Sequence, residues 1–233
     1  QFELSGTRLQ LETNEIGYFS EPTPGEPNVS VVASLLATPP GYSVASGTFV
    51  GDFTLDLTTD VPGGVIHYTL DRTVPTAGSA RFDPASGISL TETTQVRSIV
   101  VAAGYLPSPL VTQTYLKLAD DLLDFRSQLP LVVVDNFGEG QYDQRFFRNS
   151  YWAIFEPGDA DGHSSLLSAP DLQTRAGLKR RGATSVNQPK EPYVVEAWDE
   201  KDQDKDIFPL GLPADADWIM SARFSHDRAL MRP

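Results

Sequence analysis

Cysteine is absent from the 233 residues. That excludes disulfides, thiolate nucleophiles and Cys-ligated metal. Many exported bacterial proteins also lack cysteine, so the absence does not assign the chain to the cytosol. Long apolar runs are missing too. The run from Leu129 to Val134 is interrupted by Pro130, and no stretch approaches the roughly 18 residues of a membrane-spanning helix. Basic residues are few: Lys plus Arg is 18 against 31 Asp plus Glu, a net charge of −13. Such a chain repels phosphate backbones, which argues against a nucleic-acid partner. The acidity is spread out, with 5 basic and 11 acidic residues before position 119 and 13 and 20 after it. Histidine is scarce. His67, His163 and His226 show no metal-ligand spacing, and His67 is expected on the exposed face of its strand. The chain opens on Gln1 without Met or a charged-then-apolar leader, so a processed, cloned or truncated start is expected.

What is present favours β-structure. Hydrophobic residues make up 40%, enough for a packed core, and Gly and Pro at 18 each imply many turns. Three segments differ in texture. Residues 1–28 end in Glu21-Pro22-Thr23-Pro24-Gly25-Glu26-Pro27-Asn28, which continues neither strand nor helix. Residues 29–118 hold short strands between turns. Phe53 to Leu57 alternates apolar with polar, Pro62-Gly63-Gly64 turns the chain, and Val65 to Leu70, Gln95 to Ala103 and Leu110 to Leu116 follow. That spacing predicts a sandwich. Residues 119–233 read as mixed α and β. Ala119 to Ser127 is expected to form one or two helical turns, and Asp227 to Met231 to open a helix. Leu131 to Val134, Trp152 to Phe155, Ala176 to Lys179 and Tyr193 to Trp198 read as strands.

Two stretches invite metal readings. Asp202-x-Asp204-x-Asp206 starts like an EF-hand loop, but Ile207 stands where Gly is required and no closing Glu follows. A solvated acidic loop is the better reading. Asp159-Ala160-Asp161-Gly162 is short of ligands and reads as a turn. Trp152, Trp198 and Trp218 are expected as core anchors, and Tyr68 and Tyr115 at core or edge positions of the sandwich.

Family resemblances enter through particular motifs. Val65-Ile66-His67-Tyr68-Thr69-Leu70-Asp71-Arg72-Thr73-Val74-Pro75-Thr76 resembles the I-x-Y-T-x-D-G-S-x-P-T hairpin of the chitobiase/β-hexosaminidase C-terminal-type module, also called fibronectin-III-associated. Ala103 to Ser108 and Thr114-Tyr115 sit where that family has its later motifs. The resemblance covers residues 45–117 and implies an immunoglobulin-like accessory sandwich. It departs at Arg72-Thr73, where Gly-Ser is usual, so Asp71 is expected to take the unusual backbone angles of the turn. In the third segment, Ser127 to Gly138, Gly177 to Ser185, Pro189 to Glu196 and Leu210 to Ile219 resemble, in order, four motifs of the CotH kinase-like family. The 21–28 stretch is similar to the end of a lamin-tail-like domain.

The resulting expectation is a mainly β chain: residues 1–28 the end of a lamin-tail-like domain or a linker, 29–118 an immunoglobulin-like sandwich, and 119–233 an α+β partial kinase-like lobe. The CotH-like resemblance implies phosphate-contacting roles for Lys190, Arg181, Gly182 and Ser185, with Thr184 beside them. Ala183 stands where that family often has a polar residue. The family's catalytic aspartate and metal ligands lie beyond the Asp217-Trp218 region, so ATP and Mg²⁺ are implied for a complete domain and no catalytic residue or metal ligand for this stretch. The implied setting is the exterior or surface of a bacterium. The implied partners are ATP and secreted or cell-surface proteins. A carbohydrate-binding accessory module is the alternative, although residues 29–118 contain no Trp to serve as a sugar platform.

Overall fold

A computed structural model describes residues 8–10, 16–19, 25, 32–33, 35–158, 162–183 and 189–221. The chain resolves into two compact units, one of residues 1–46 and 51–115, the other of 47–50 and 116–233. Both are mainly β, and the described residues contain no α-helix.

In the first unit, β1 (Arg8–Gln10), β2 (Ile16–Phe19) and β3 (Val32–Ala33) form an antiparallel sheet. The short strands β4 (Leu35–Leu36) and β5 (Gly41–Tyr42) follow, and β6 (Gly47–Phe49) belongs to the second unit. Next come β7 (Phe53–Leu55), β8 (Leu57–Thr58), β9 (Val65–Thr69), β10 (Ala80–Arg81), β11 (Ile88–Leu90), β12 (Thr94–Val101), β13 (Tyr105–Leu106) and β14 (Val111–Lys117). β10, β9, β12 and β14 are successive neighbours in one sheet, and β7 pairs with β11. Leu55, Ile88 and Leu90 from the pair, and Ile66, Val96, Val100 and Tyr115 from the sheet, are all buried. Their alternation along each strand marks the inward faces and is consistent with a β-sandwich. Phe53 meets Tyr115 edge to face at 5.7 Å.

The opposite face of the sheet is buried as well, and beside Ile99 it is largely polar. Gln95, Arg97 and Thr114 are buried, and so is His67 at 5% exposure. His67 therefore does not lie on an exposed face. The segment from Asp71 to Ser79 covers Arg97 and His67 on this face. Arg97 donates from Nη1 to the Arg72 carbonyl at 2.8 Å, Thr69 from its hydroxyl to the Thr73 carbonyl at 2.6 Å, and His67 Nδ1 lies 3.0 Å from the Ser79 carbonyl. These bonds fold the segment across the strands as a roof. At its start, Arg72 takes the left-handed conformation (φ 69°) expected of Asp71. Asp71 instead accepts bonds from the Thr73 amide and hydroxyl, at 3.1 and 2.6 Å. Those bonds hold its carboxyl below the ordinary range, the hydroxyl bond foremost.

The second unit contains the short pair β15 (Arg126–Ser127) and β18 (Ser164–Ser165). Its main sheet is antiparallel, ordered β16 (Leu131–Asp135), β17 (Arg148–Phe155), β19 (Leu172–Arg180), β20 (Tyr193–Trp198) and β21 (Asp217–Met220). One face carries Trp152, Ile154, Ala176, Leu178, Val195 and Ala197, with Ile207 packed on them. The other carries Tyr151, Ala153 and Phe155 against Leu116, Leu118 and Leu166. The expected helical turns at 119–127 reduce to one 3-10 turn, Asp120–Leu122, with no buried residue. Without an apolar stripe to bury, nothing sustains a longer helix there. The expectation of an α+β lobe is corrected accordingly: the described part of 119–233 is strands and two 3-10 turns. The expected helix at 227–231 lies outside the described residues. No helix among the described residues is long and apolar enough to cross a membrane.

Candidate functional site

Two places gather side chains with chemical potential, one in each unit. In the second, β19 and β20 form a hairpin. The Arg181 amide bonds the Pro192 carbonyl at 2.9 Å, closing the last rung before the tip. Gly182 follows with φ 99°, where a Cβ would be strained, and its carbonyl accepts from Gln144 Nε2 at 2.9 Å. Arg181, Gly182 and Lys190 are all exposed at this end of the hairpin. Ser185 and Thr184 lie outside the described residues. The structure thus brings Arg181, Gly182 and Lys190 to one end.

Two neighbours were not anticipated. Arg180 forms an ion pair with Glu191 at 3.1 Å, both largely buried, and Gln141 Nε2 and the Tyr193 hydroxyl also bond the Glu191 carboxylate. Glu191 thus places a closed ion pair at the rim beside Lys190. The sequence signal was its place between Lys190 and Pro192 in the motif itself.

The acidic loop at 199–206 is organised by hydrogen bonds within the chain. Asp199 Oδ1 accepts the amides of Lys201 and Gln203, at 2.7 and 3.0 Å, and these bonds lower its carboxyl's pKa, the Gln203 bond foremost. The buried Arg175 guanidinium pairs with Asp202 and bonds the Asp199 carbonyl. Among the described residues no group of three or more metal-ligating side chains is positioned for an ion.

In the first unit, a groove of about 500 Å³ opens between the end of the roof segment and the turns flanking β9 and β12. Gly63, Ala77, Gly78, Ala102 and Ala103 give it small-residue walls. His67, Ser79 and Arg81 supply its polar groups. A carbonyl only accepts, so the contact with the Ser79 carbonyl places the proton on Nδ1 of His67 and leaves Nε2 of the neutral ring as an acceptor. His67 and Arg81 face each other across the β9–β10 rung and point to the same side of the sheet. Sequence reasoning placed His67 on an exposed face and passed over Arg81. The only signal was a histidine opposite an arginine across a hairpin whose register depends on the roof.

Residues 44–112 match the family model of the chitobiase/beta-hexosaminidase C-terminal domain. No curated protein and no solved structure matches the chain. The matched stretch contains the roof segment, both polar side chains that pair across β9 and β10, and every residue that lines the groove.

Proposed function

We propose that the chain is an accessory part of a modular exported bacterial protein, in which the sandwich serves carbohydrate association and itself performs no catalysis. One observation carries this reading: the stretch that matches a domain of carbohydrate-processing enzymes encloses a groove with polar groups set among small residues. Ligand sites of this size are commonly concave, with a few placed polar groups. A glycan array probed with the whole chain tests it. Specific, saturable binding in the micromolar range supports the reading, and uniform background across neutral and charged glycans removes it.

A second reading concerns the other unit. The CotH-like motifs suggest that a complete domain handles ATP and Mg²⁺ and phosphorylates secreted or surface proteins. In favour stands the clustering of Arg181, Gly182 and Lys190 at one hairpin end, where cations and a close-approaching backbone suit phosphate. Radiolabelled-phosphate transfer by a protein that carries this stretch within a complete domain, abolished by Lys190→Ala, supports it. Transfer that is indifferent to Lys190 removes that residue from the site.

A further inference from the structure

We infer that the groove of the first unit takes a carboxylate-bearing sugar, a uronic acid unit of an acidic polysaccharide; this deepens the accessory-module reading and rests on it. The lining residues carry one permanent charge, the Arg81 guanidinium, in a chain whose net charge is −13. The groove is therefore a local inversion of the charge around it. An arginine fork binds a carboxylate through two parallel hydrogen bonds. Directly across the rung, His67 is held by the Ser79 carbonyl with Nε2 left to accept. Facing residues on neighbouring antiparallel strands have Cβ atoms about 5 Å apart. That span suits two adjacent substituents of one pyranose ring, a carboxylate on the arginine and a hydroxyl donating to the imidazole.

The walls bear on the choice of ligand. Glycine and alanine leave room for a ring to lie against the backbone. No Phe, Tyr or Trp lines the groove, and the one ring there, His67, is held edge-on by its bond to the Ser79 carbonyl, so the broad stacking platform on which neutral sugars commonly depend is missing. Recognition must come from charge and directed hydrogen bonds, which favours an acidic sugar over a neutral one. The imidazole is fixed before any ligand arrives, because the roof that supplies the Ser79 carbonyl is itself anchored by Arg97 and Thr69. Less ordering is then required on binding.

The test uses the whole chain, ¹⁵N-labelled, titrated at millimolar concentration with trigalacturonate, with tri-N-acetylchitotriose and with triglutamate. Trigalacturonate is expected to shift the amides of Ser79, Arg81 and Ala103 together. Arg81→Ala should weaken it at least tenfold, and Arg81→Lys should fall between the two. Arg81 is exposed on a two-residue edge strand, so its substitution leaves folding intact. Ala103→Trp, at an exposed wall position, should block the groove and abolish the shifts. Equal affinity of Arg81→Ala and the parent overturns the proposal, and so does equal binding of triglutamate. If tri-N-acetylchitotriose shifts these amides and trigalacturonate does not, the acidic-sugar assignment fails while the accessory reading stands. If neither sugar binds, both fail.

Discussion

At the scale of single residues, three positions are out of balance with their surroundings. Arg72 occupies the left-handed region (φ 69°), where the resembled family carries glycine. Its carbonyl, not its conformation, is what Arg97 requires. Arg72→Gly should therefore relieve strain and raise stability by about 0.5–1 kcal/mol, read as a higher urea midpoint at constant slope. Gly177 is the reverse case: a Cβ there would stand 2.1 Å from the Trp198 ring. Gly177→Ala should cost roughly 1–3 kcal/mol and displace the indole, seen as a red shift in tryptophan emission. Glu196 faces Asp217 across the β20–β21 rung. Burial foremost, and then the neighbouring Asp204 and Asp217 carboxyls, raise its pKa. A carboxyl with a raised native pKa destabilises the fold when ionised and gives the stability back as pH falls through that value. Glu196→Gln should raise the melting temperature at pH 7, with the gain shrinking towards pH 4. A gain that stays constant across that range contradicts the assignment.

At the scale of elements, the roof segment 71–79 decides most of what was hidden in the sequence. The strands themselves were legible. Phe53 to Leu57, Val65 to Leu70 and Trp152 to Phe155 carry the alternation or β-branched density that a pleated surface selects; the second forms β9 as far as Thr69, the last lies in β17, and the first is split at Asp56 into β7 and β8. The second face of β12 was not legible. Gln95 and Arg97 are polar, yet both are buried on it. Their burial depends on a segment that begins some 25 residues earlier and ends at Ser79, and no local pattern reports it. The misplacement of His67 has the same origin. The helix expected at 119–127 failed for the opposite reason: a local Asp-rich start was present and a face to bury was not, since Phe125 stays exposed. If Arg97 anchors the roof, Arg97→Ala strands the Arg72 carbonyl and removes a buried stem, at a cost of roughly 3 kcal/mol. Hydrogen exchange should then quicken at 73–79 more than in β17 and β19. Uniform acceleration along the chain would mean that the roof is not a separate cooperative element.

At the scale of the whole molecule, two β units carry separate chemical prospects. In the second, the hairpin end carries Arg181, Gly182 and Lys190, the residues that the CotH-like motifs single out, beside the Arg180–Glu191 ion pair, which those motifs do not announce. Lys190 and Arg181 were legible because the motif names them. Glu191's pairing was not, because Arg180 and Gln141 reach it from separate stretches of chain. In the first unit, the family-matched sandwich supplies a groove whose polar groups are fixed by register and by the roof. The central claim is that this groove serves carbohydrate association. The most direct measurement is the glycan-array profile of the whole chain beside that of its Ala103→Trp variant. Specific binding concentrated on acidic glycans and lost in the variant is expected; binding that survives the blocked groove unchanged, or no specific binding by either protein, would rule out a carbohydrate role for the groove.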